Sequence, residues 1–274
     1  MEARVTSQAL KALTAVERFN FYVTNTLNRT PLTRRLLTRL LATLGTAWVE
    51  FGTSRTVLDH GFDNFAKIDP NRAVLLVANH RTFYDQFVIS ARLFRLYGPH
   101  HNVYFPVRAN FFYDNPLGLL VNLPVAMGVM YPPFVRDRKR LRWNAFATNL
   151  LVELLQDPHN MVGFHPEGTR NRGPDPYELL PAKPGCGELI YRSRPNVLPV
   201  FLQGFPKNAF TLVKANLRRD SSPFVHMVMG EPLDFSEELQ LPAGRKTYLL
   251  ISRKVMQRIA ELSQLEREIR QRYQ

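Results

Sequence analysis

Apolar positions change their period several times along the chain. From about Thr6 to Leu27, Leu13, Val16, Phe19 and Val23 fall near one side of a helix. Thr30-Pro31 then reads as a second helix start, a threonine cap followed by proline at the first helical position. That helix sets Leu36, Leu37, Leu40, Leu41, Leu44 and Trp48 on one stripe, with Arg34, Arg35, Thr38 and Arg39 mostly off it. The stripe admits two readings. One is a helix packed on the core with its arginines in water; the other is a basic amphipathic helix lying on a membrane surface.

Beyond Gly52 short branched apolar runs alternate with helical periods. Strands are expected at 73–79, 102–109, 160–164 and 196–205, in the stretch from Phe224, and at 124–131. Helices are expected at 83–98, 138–156 and 188–194, and from about Gly244 onward. The alternation predicts an α/β fold: a mixed, largely parallel central sheet flanked by helices, preceded by an N-terminal amphipathic helical pair. The expected division is 1–52 for the helical, membrane-associating segment and 53–274 for the α/β domain. In such sheets functional loops gather at the carboxyl ends of strands. Two polar segments sit there, Asn79-His80-Arg81-Thr82-Phe83-Tyr84-Asp85 and the stretch from His165 to Gly173.

Composition narrows the partners. The 274 residues are 45% hydrophobic, enough for a packed core, and carry a net charge of +13. Such a protein is drawn to nucleic acid, a phospholipid surface or a phosphorylated small molecule. The basic residues are spread along the chain without a helix-turn-helix, zinc finger or RNA-binding aromatic motif, so no nucleic-acid partner is expected. The one cysteine, Cys186 between two glycines, reads as a packing residue and fits a reducing compartment. Glu2 precedes any basic residue, unlike a secretory signal. No uninterrupted apolar run reaches about 18 residues, so the expectation is a peripheral or monotopic protein on the cytoplasmic side of a membrane.

His80 and Asp85 lie too far round an ideal helix to meet. They can pair only if His80 is in a loop and Asp85 in the first turns of the helix that follows. A carboxylate on one ring nitrogen would fix the tautomer and leave the other nitrogen free to take a proton. On these residues alone, a general base and a histidine that caps a turn both remain open. In His165-Pro166-Glu167-Gly168-Thr169-Arg170-Asn171-Arg172-Gly173, glycine allows close backbone approach and the arginines suit phosphate; a charged surface turn is the plainer alternative. There is no Gly-x-Ser-x-Gly elbow, His-Glu-x-x-His zinc motif or P-loop. His100-His101 is expected to be solvated, and no metal is expected.

Together, Asn79-His80-x4-Asp85 and Pro166-Glu167-Gly168-Thr169-Arg170 resemble the glycerolipid acyltransferases, the family that includes 1-acylglycerol-3-phosphate acyltransferase. The resemblance runs from about Val57 to Phe235. It takes in His60-Gly61-Phe62-Asp63-Asn64, Arg108 with Asn110-Phe111-Phe112, the Lys183-Pro184-Gly185 stretch, Val197-Leu198-Pro199-Val200 and Gly230-Glu231-Pro232. It implies that His80 is the general base on an acceptor hydroxyl and that Asp85 orients it. The hydroxyl would attack the thioester of an acyl-CoA or acyl carrier protein directly, with no cofactor. Glu167, Gly168, Thr169 and Arg170 would bind the acceptor, with Arg170 near its phosphate. Lysophosphatidic acid is the expected acceptor; glycerol-3-phosphate, another lysophospholipid or an aminolipid are the alternatives. Arg136 is the candidate for a second phosphate-contacting arginine, although its spacing from Gly128 is longer than the family's, and a solvated helix start reads equally well. His165 stands where the family often has phenylalanine, and Asn171 where it often has serine. A non-catalytic lipid-surface protein is the rival reading.

Overall fold

The apolar run Val74–Ala78 is buried at all five positions, so it needs cover on both faces and neighbours on both edges. It finds them in the middle of a six-stranded sheet. The computed structural model of the chain describes residues 7–206, 209–218 and 224–273. Its strands are β1 (Val57–His60), β2 (Val74–Ala78), β3 (Asn102–Tyr104), β4 (Val107–Arg108), β5 (Pro133–Phe134), β6 (Asn160–Phe164), β7 (Asn196–Gln203) and β8 (Val225–Met229). The sheet order is β1-β8-β7-β2-β6-β3, and β4 pairs with β5 apart from it. Neighbours run parallel except β7 and β8. The fold is therefore the expected mixed, mostly parallel α/β arrangement.

The helices are α1 (Ser7–Leu10), α2 (Ala15–Arg29), α3 (Pro31–Leu40), α4 (Thr46–Thr53), α5 (Asp85–Tyr97), α6 (Ala109–Phe112), α7 (Gly118–Ala126), α8 (Leu141–Leu154), α9 (Pro184–Ser193), α10 (Ala209–Leu217) and α11 (Arg245–Gln271). A wider π turn, Leu41–Gly45, joins α3 to α4. Cys186 is buried in α9, and burial pushes its thiol pKa up, as suits a packing residue. No helix among the described residues is long and apolar enough to cross a membrane. The expected Thr6 start and the signal-sequence reading at Glu2 lie outside the described residues.

Several expectations need correction. The first helix is broken at 11–14, because Thr14 and Glu17 form a reciprocal capping box that starts α2 afresh. Thr30 precedes Pro31 as expected, but its hydroxyl turns back to the carbonyl of Thr26 and does not cap α3. The strand expected at 102–109 splits at Phe105-Pro106, since proline cannot donate to a ladder. The strand expected at 124–131 is the end of α7, followed by a turn in which Met127 and Gly128 take positive φ. A short buried apolar run fits either element, and periodicity alone does not separate them. Strand β1 and helix α10 were not anticipated.

The N-terminal pair turns its polar side inward. Arg34 is only 3% exposed, whereas Leu36, Leu44 and Trp48 are 56%, 60% and 67% exposed. Arg35 and Arg39 are in water and Leu41 is on the core, as the core-packing reading has them, but Arg34 is inside and Leu36, Leu44 and Trp48 are outside. Arg34 donates to the Asn28 side chain at 2.6 Å and to the carbonyl of Val103 at 3.3 Å. Thr38 donates to Asn102 at 2.8 Å, and Asn20 reaches the carbonyls of Tyr113 and Asn115 at 3.0 and 2.9 Å. Asn28 also donates to the carbonyl of Gly128 at 3.0 Å, so this residue of an Asn-Arg-Thr sequon is closed off inside the fold. Asn28→Ala removes an acceptor from a buried cation and a donor from a buried carbonyl. The expected cost is about 2 kcal/mol, on the order of 5 °C in Tm, which a thermal melt would read; an unchanged Tm would show that the network does not hold the helices down.

Candidate active site

Strands β2 and β6 pair in parallel, with Val77 opposite Phe164. Both chains leave the sheet at the same end, so two loops distant in sequence arrive side by side. Residues 80–84 form the first loop, and Asp85 opens α5. The second begins at His165 and turns through Gly168, whose φ of 67° needs no Cβ. The loops are tied at the backbone: His80 N–H donates to Glu167 Oε1 at 3.0 Å, and Asn171 N–H donates to the His80 carbonyl at 2.8 Å.

His80 Nδ1 lies 3.0 Å from Asp85 Oδ2. Asp85 is fully buried and also accepts from the N–H of Arg81 at 2.9 Å, the N–H of Thr82 at 3.0 Å and the Thr82 hydroxyl at 2.5 Å. Burial works against its charge. The His80 hydrogen bond, the neighbouring histidines and Thr82 outweigh that and hold the carboxyl below its usual range. An ionised Asp85 accepts a proton at His80 Nδ1 and leaves Nε2 as the basic nitrogen, with the ring on the wall of a cavity.

That cavity has a volume of about 280 Å³. Phe83, Phe87, Phe105, Phe111, Met130 and Phe134 make much of its wall, and Arg108, Arg136 and Arg170 also line it. Arg108 donates to the Thr169 hydroxyl at 2.6 Å, and the Arg170 guanidinium lies 5.6 Å from the Phe111 ring centre. Burial and then the charges of Arg136, Arg170 and Arg172 lower the pKa of Arg108, the mark of cations gathered without an acid among them. Such a group is suited to a phosphate.

Of the residues singled out from sequence, His80, Arg136, Gly168, Thr169 and Arg170 line this cavity, and Asp85 lies behind His80. Glu167 was expected in the acceptor-binding block but is off the wall. Its carboxylate is 1% exposed and accepts from the N–H groups of His80 and Leu180, so it holds the loops together. Burial raises its pKa, with those N–H groups pulling the other way. Arg108 was missed as a site residue, although a basic side chain at the carboxyl end of a strand is the signal that finds it. His165 was read only as a departure. Its ring stacks on His80 at 3.8 Å between centres, with Nδ1 2.9 Å from the carbonyl of Ala78. Burial first, and the His80 charge second, push its pKa down to about 3, so it stays neutral.

His80, Asp85 and His165 bring one ligand-type atom each within 4.8 Å. The two rings are only 12° from parallel and both Nδ1 atoms are engaged, so their in-plane lone pairs do not converge on one point. The arrangement handles a proton better than a metal ion.

A histidine hydrogen-bonded to a buried carboxylate, on the wall of a cavity at the carboxyl ends of two parallel strands, is an arrangement able to take up and return a proton. A family model described as "Acyltransferase" matches residues 57–203, more than half of the chain and all of the residues just described, and the protein belongs to that family. No curated protein gives a significant match. Among solved structures, the chain is similar to the 1-acyl-sn-glycerophosphate (LPA) acyltransferase PlsC from Thermotoga maritima, at 18% identity and a TM-score of 0.49, covering 89% of this chain and 87% of that one.

His165→Phe keeps a ring on His80 and loses the ring's bonds to the backbone of Ala78 and Asn79. Activity should fall less than about tenfold, against the ~10²–10⁴-fold that a positioned base contributes; complete loss would mean that the second imidazole has a chemical role. Stability carries a sign as well. Unfolded His165 takes up a proton near its ordinary 6.5, whereas the folded residue resists until about 3. The unfolded state therefore binds more protons in that window, and stability falls as pH drops from 6.5 toward 3. Urea midpoints at about pH 7 and about pH 4.5 should show a shallower loss in His165→Phe than in the wild-type chain.

Proposed function

We propose that this acyltransferase moves a fatty acyl group from the thioester of acyl-CoA or acyl carrier protein to the hydroxyl of a lysophospholipid, with 1-acyl-sn-glycerol-3-phosphate as the acceptor and phosphatidic acid as the product. The observation that carries the reading is the His80–Asp85 pair on an apolar cavity that Arg108, Arg136 and Arg170 also line. His80 Nε2 takes the proton as the acceptor oxygen attacks the thioester carbonyl, and Asp85 stabilises the imidazolium. A thioester is activated enough that no protein nucleophile is needed. The imidazolium then returns its proton to the thiolate that leaves. The arginines suit a phosphate monoester, and the phenylalanine wall suits an acyl chain.

The same reading has the enzyme working from a membrane surface, on the cytoplasmic side. Leu32, Leu36, Leu44, Trp48 and Phe51 are exposed on α3, α4 and the turn between them, with Arg35 and Arg39 also exposed. Together they have the composition of an interfacial helix face. A narrow apolar crevice of about 50 Å³ includes Trp48 and Tyr84, and it shares Phe83, Phe87 and Phe105 with the main cavity. These three phenylalanines stand between the crevice beside the exposed face and the cavity that His80 lines.

The first test is thiol release from a series of acyl-CoAs and acyl carrier proteins by the purified protein in detergent. Lysophosphatidic acid, glycerol-3-phosphate and lysophosphatidylethanolamine are offered in parallel. Acceptor-dependent release is expected, largest with lysophosphatidic acid and cut by ~10²–10⁴-fold in His80→Ala. Near-normal turnover by that variant would sink the mechanism, and silence with every donor would favour a non-catalytic lipid-surface protein. A second test is sedimentation with anionic vesicles. Replacing Leu36, Leu44 and Trp48 with glutamate should weaken binding at least about tenfold, and unchanged binding would remove this face from the membrane contact.

A further inference from the structure

One polar side chain in the cavity has no task in the chemistry above. Gln86 follows Asp85 in the first turn of α5, is 5% exposed and lines the cavity. Neither its Nε2 nor its Oε1 has a hydrogen-bond partner among the described residues. A buried amide left unpaired at both ends is costly and rare. Strand β6 makes room for it: a Cβ on Gly163 would lie 2.4 Å from Gln86 Oε1 and 2.8 Å from the Phe105 ring. A glycine at this buried strand position therefore lets the amide sit where it does.

We propose that Gln86 recognises a hydroxyl on the acyl chain of the donor, within its first few carbons. The inference rests on the acyl-transfer reading above. Gln86 and His80 line the same cavity, and Gly163, on which the amide sits, comes two residues before His165, whose ring stacks on His80. The amide therefore lies beside the start of a chain whose thioester carbonyl is at His80. It offers one donor group and one acceptor, and a hydroxyl answers both, giving its proton to Oε1 and accepting from Nε2. A carbonyl would satisfy the nitrogen alone. An unsubstituted methylene chain would satisfy neither end. An ionised group would be set against Gly163, Phe87 and Phe105, with no opposite charge among them.

The test compares tetradecanoyl with 2-hydroxy- and 3-hydroxytetradecanoyl thioesters, each on CoA and on acyl carrier protein, with a fixed acceptor. Sites built to hydrogen-bond a substrate hydroxyl discriminate strongly against the analogue that lacks it. The wild-type chain should favour one hydroxyacyl donor by at least about tenfold in kcat/KM, and Gln86→Leu and Gln86→Met should bring the ratio to about one. Both variants should melt no lower than the wild type, because they replace an unpaired buried amide with apolar atoms of similar size. Two variants guard against one failing to fold. A wild-type ratio near one or below overturns the proposal, as does a high ratio that survives in both variants. A lower Tm in both overturns its premise that the amide is unpaired. No transfer from any donor, hydroxylated or not, overturns the proposed reaction itself and this inference with it, a result distinct from transfer without preference.

Discussion

A buried carboxylate has to be ionised by its surroundings or give up its charge, and Asp85 is supplied from one short loop. The N–H groups of Arg81 and Thr82, the Thr82 hydroxyl and His80 Nδ1 all converge on it. The loop cannot change shape without removing donors from a carboxylate that has no access to water. The residues that follow His80 are thus held at the backbone by the same bonds that keep its partner charged. Glu167 repeats the device from the other side, accepting from His80 N–H and Leu180 N–H. Two buried acids, each satisfied by loop backbone, fix a histidine whose side chain stays partly exposed on the cavity wall.

The N-terminal helices follow the opposite logic. Their inner side carries Asn20, Thr24, Asn28, Arg34 and Thr38 beside Phe21, while Leu32, Leu36, Leu44 and Trp48 lie outside. A polar inner side is tolerated because its groups find carbonyls or other side chains on the strands, helices and turns beneath. It also leaves leucines and a tryptophan free on the outside, where water gains nothing from them. Directional hydrogen bonds here share with the buried Phe21 ring the holding that apolar burial does in the sheet.

The alternation of short apolar runs with helical periods was enough to read an α/β fold, because a fully apolar five-residue strand has few other homes than the middle of a parallel sheet. The pairing of His80 with Asp85 was legible too, since strand end and helix start left only one way for them to meet. The threonine-glutamate capping signal at Thr14 was present in the sequence and passed over. The run at 124–131 could not be read, because apolar content without length or period does not separate a buried helix end from a strand.

By itself, then, the sequence determined that His80 and Asp85 could meet at a strand end and what kind of layered fold holds them; period, spacing and side-chain type are local properties. The tertiary structure alone decided what those residues face. Glu167 serves the backbone of His80 and lines no part of the cavity, Arg108 joins Arg136 and Arg170 there, and the arginine at position 34 goes inside while Trp48 stays out. The reason is that parallel pairing of β2 with β6 joins loops 87 residues apart. Which face of a helix is buried, and which buried group finds a partner, depends on neighbours that no local stretch of sequence names.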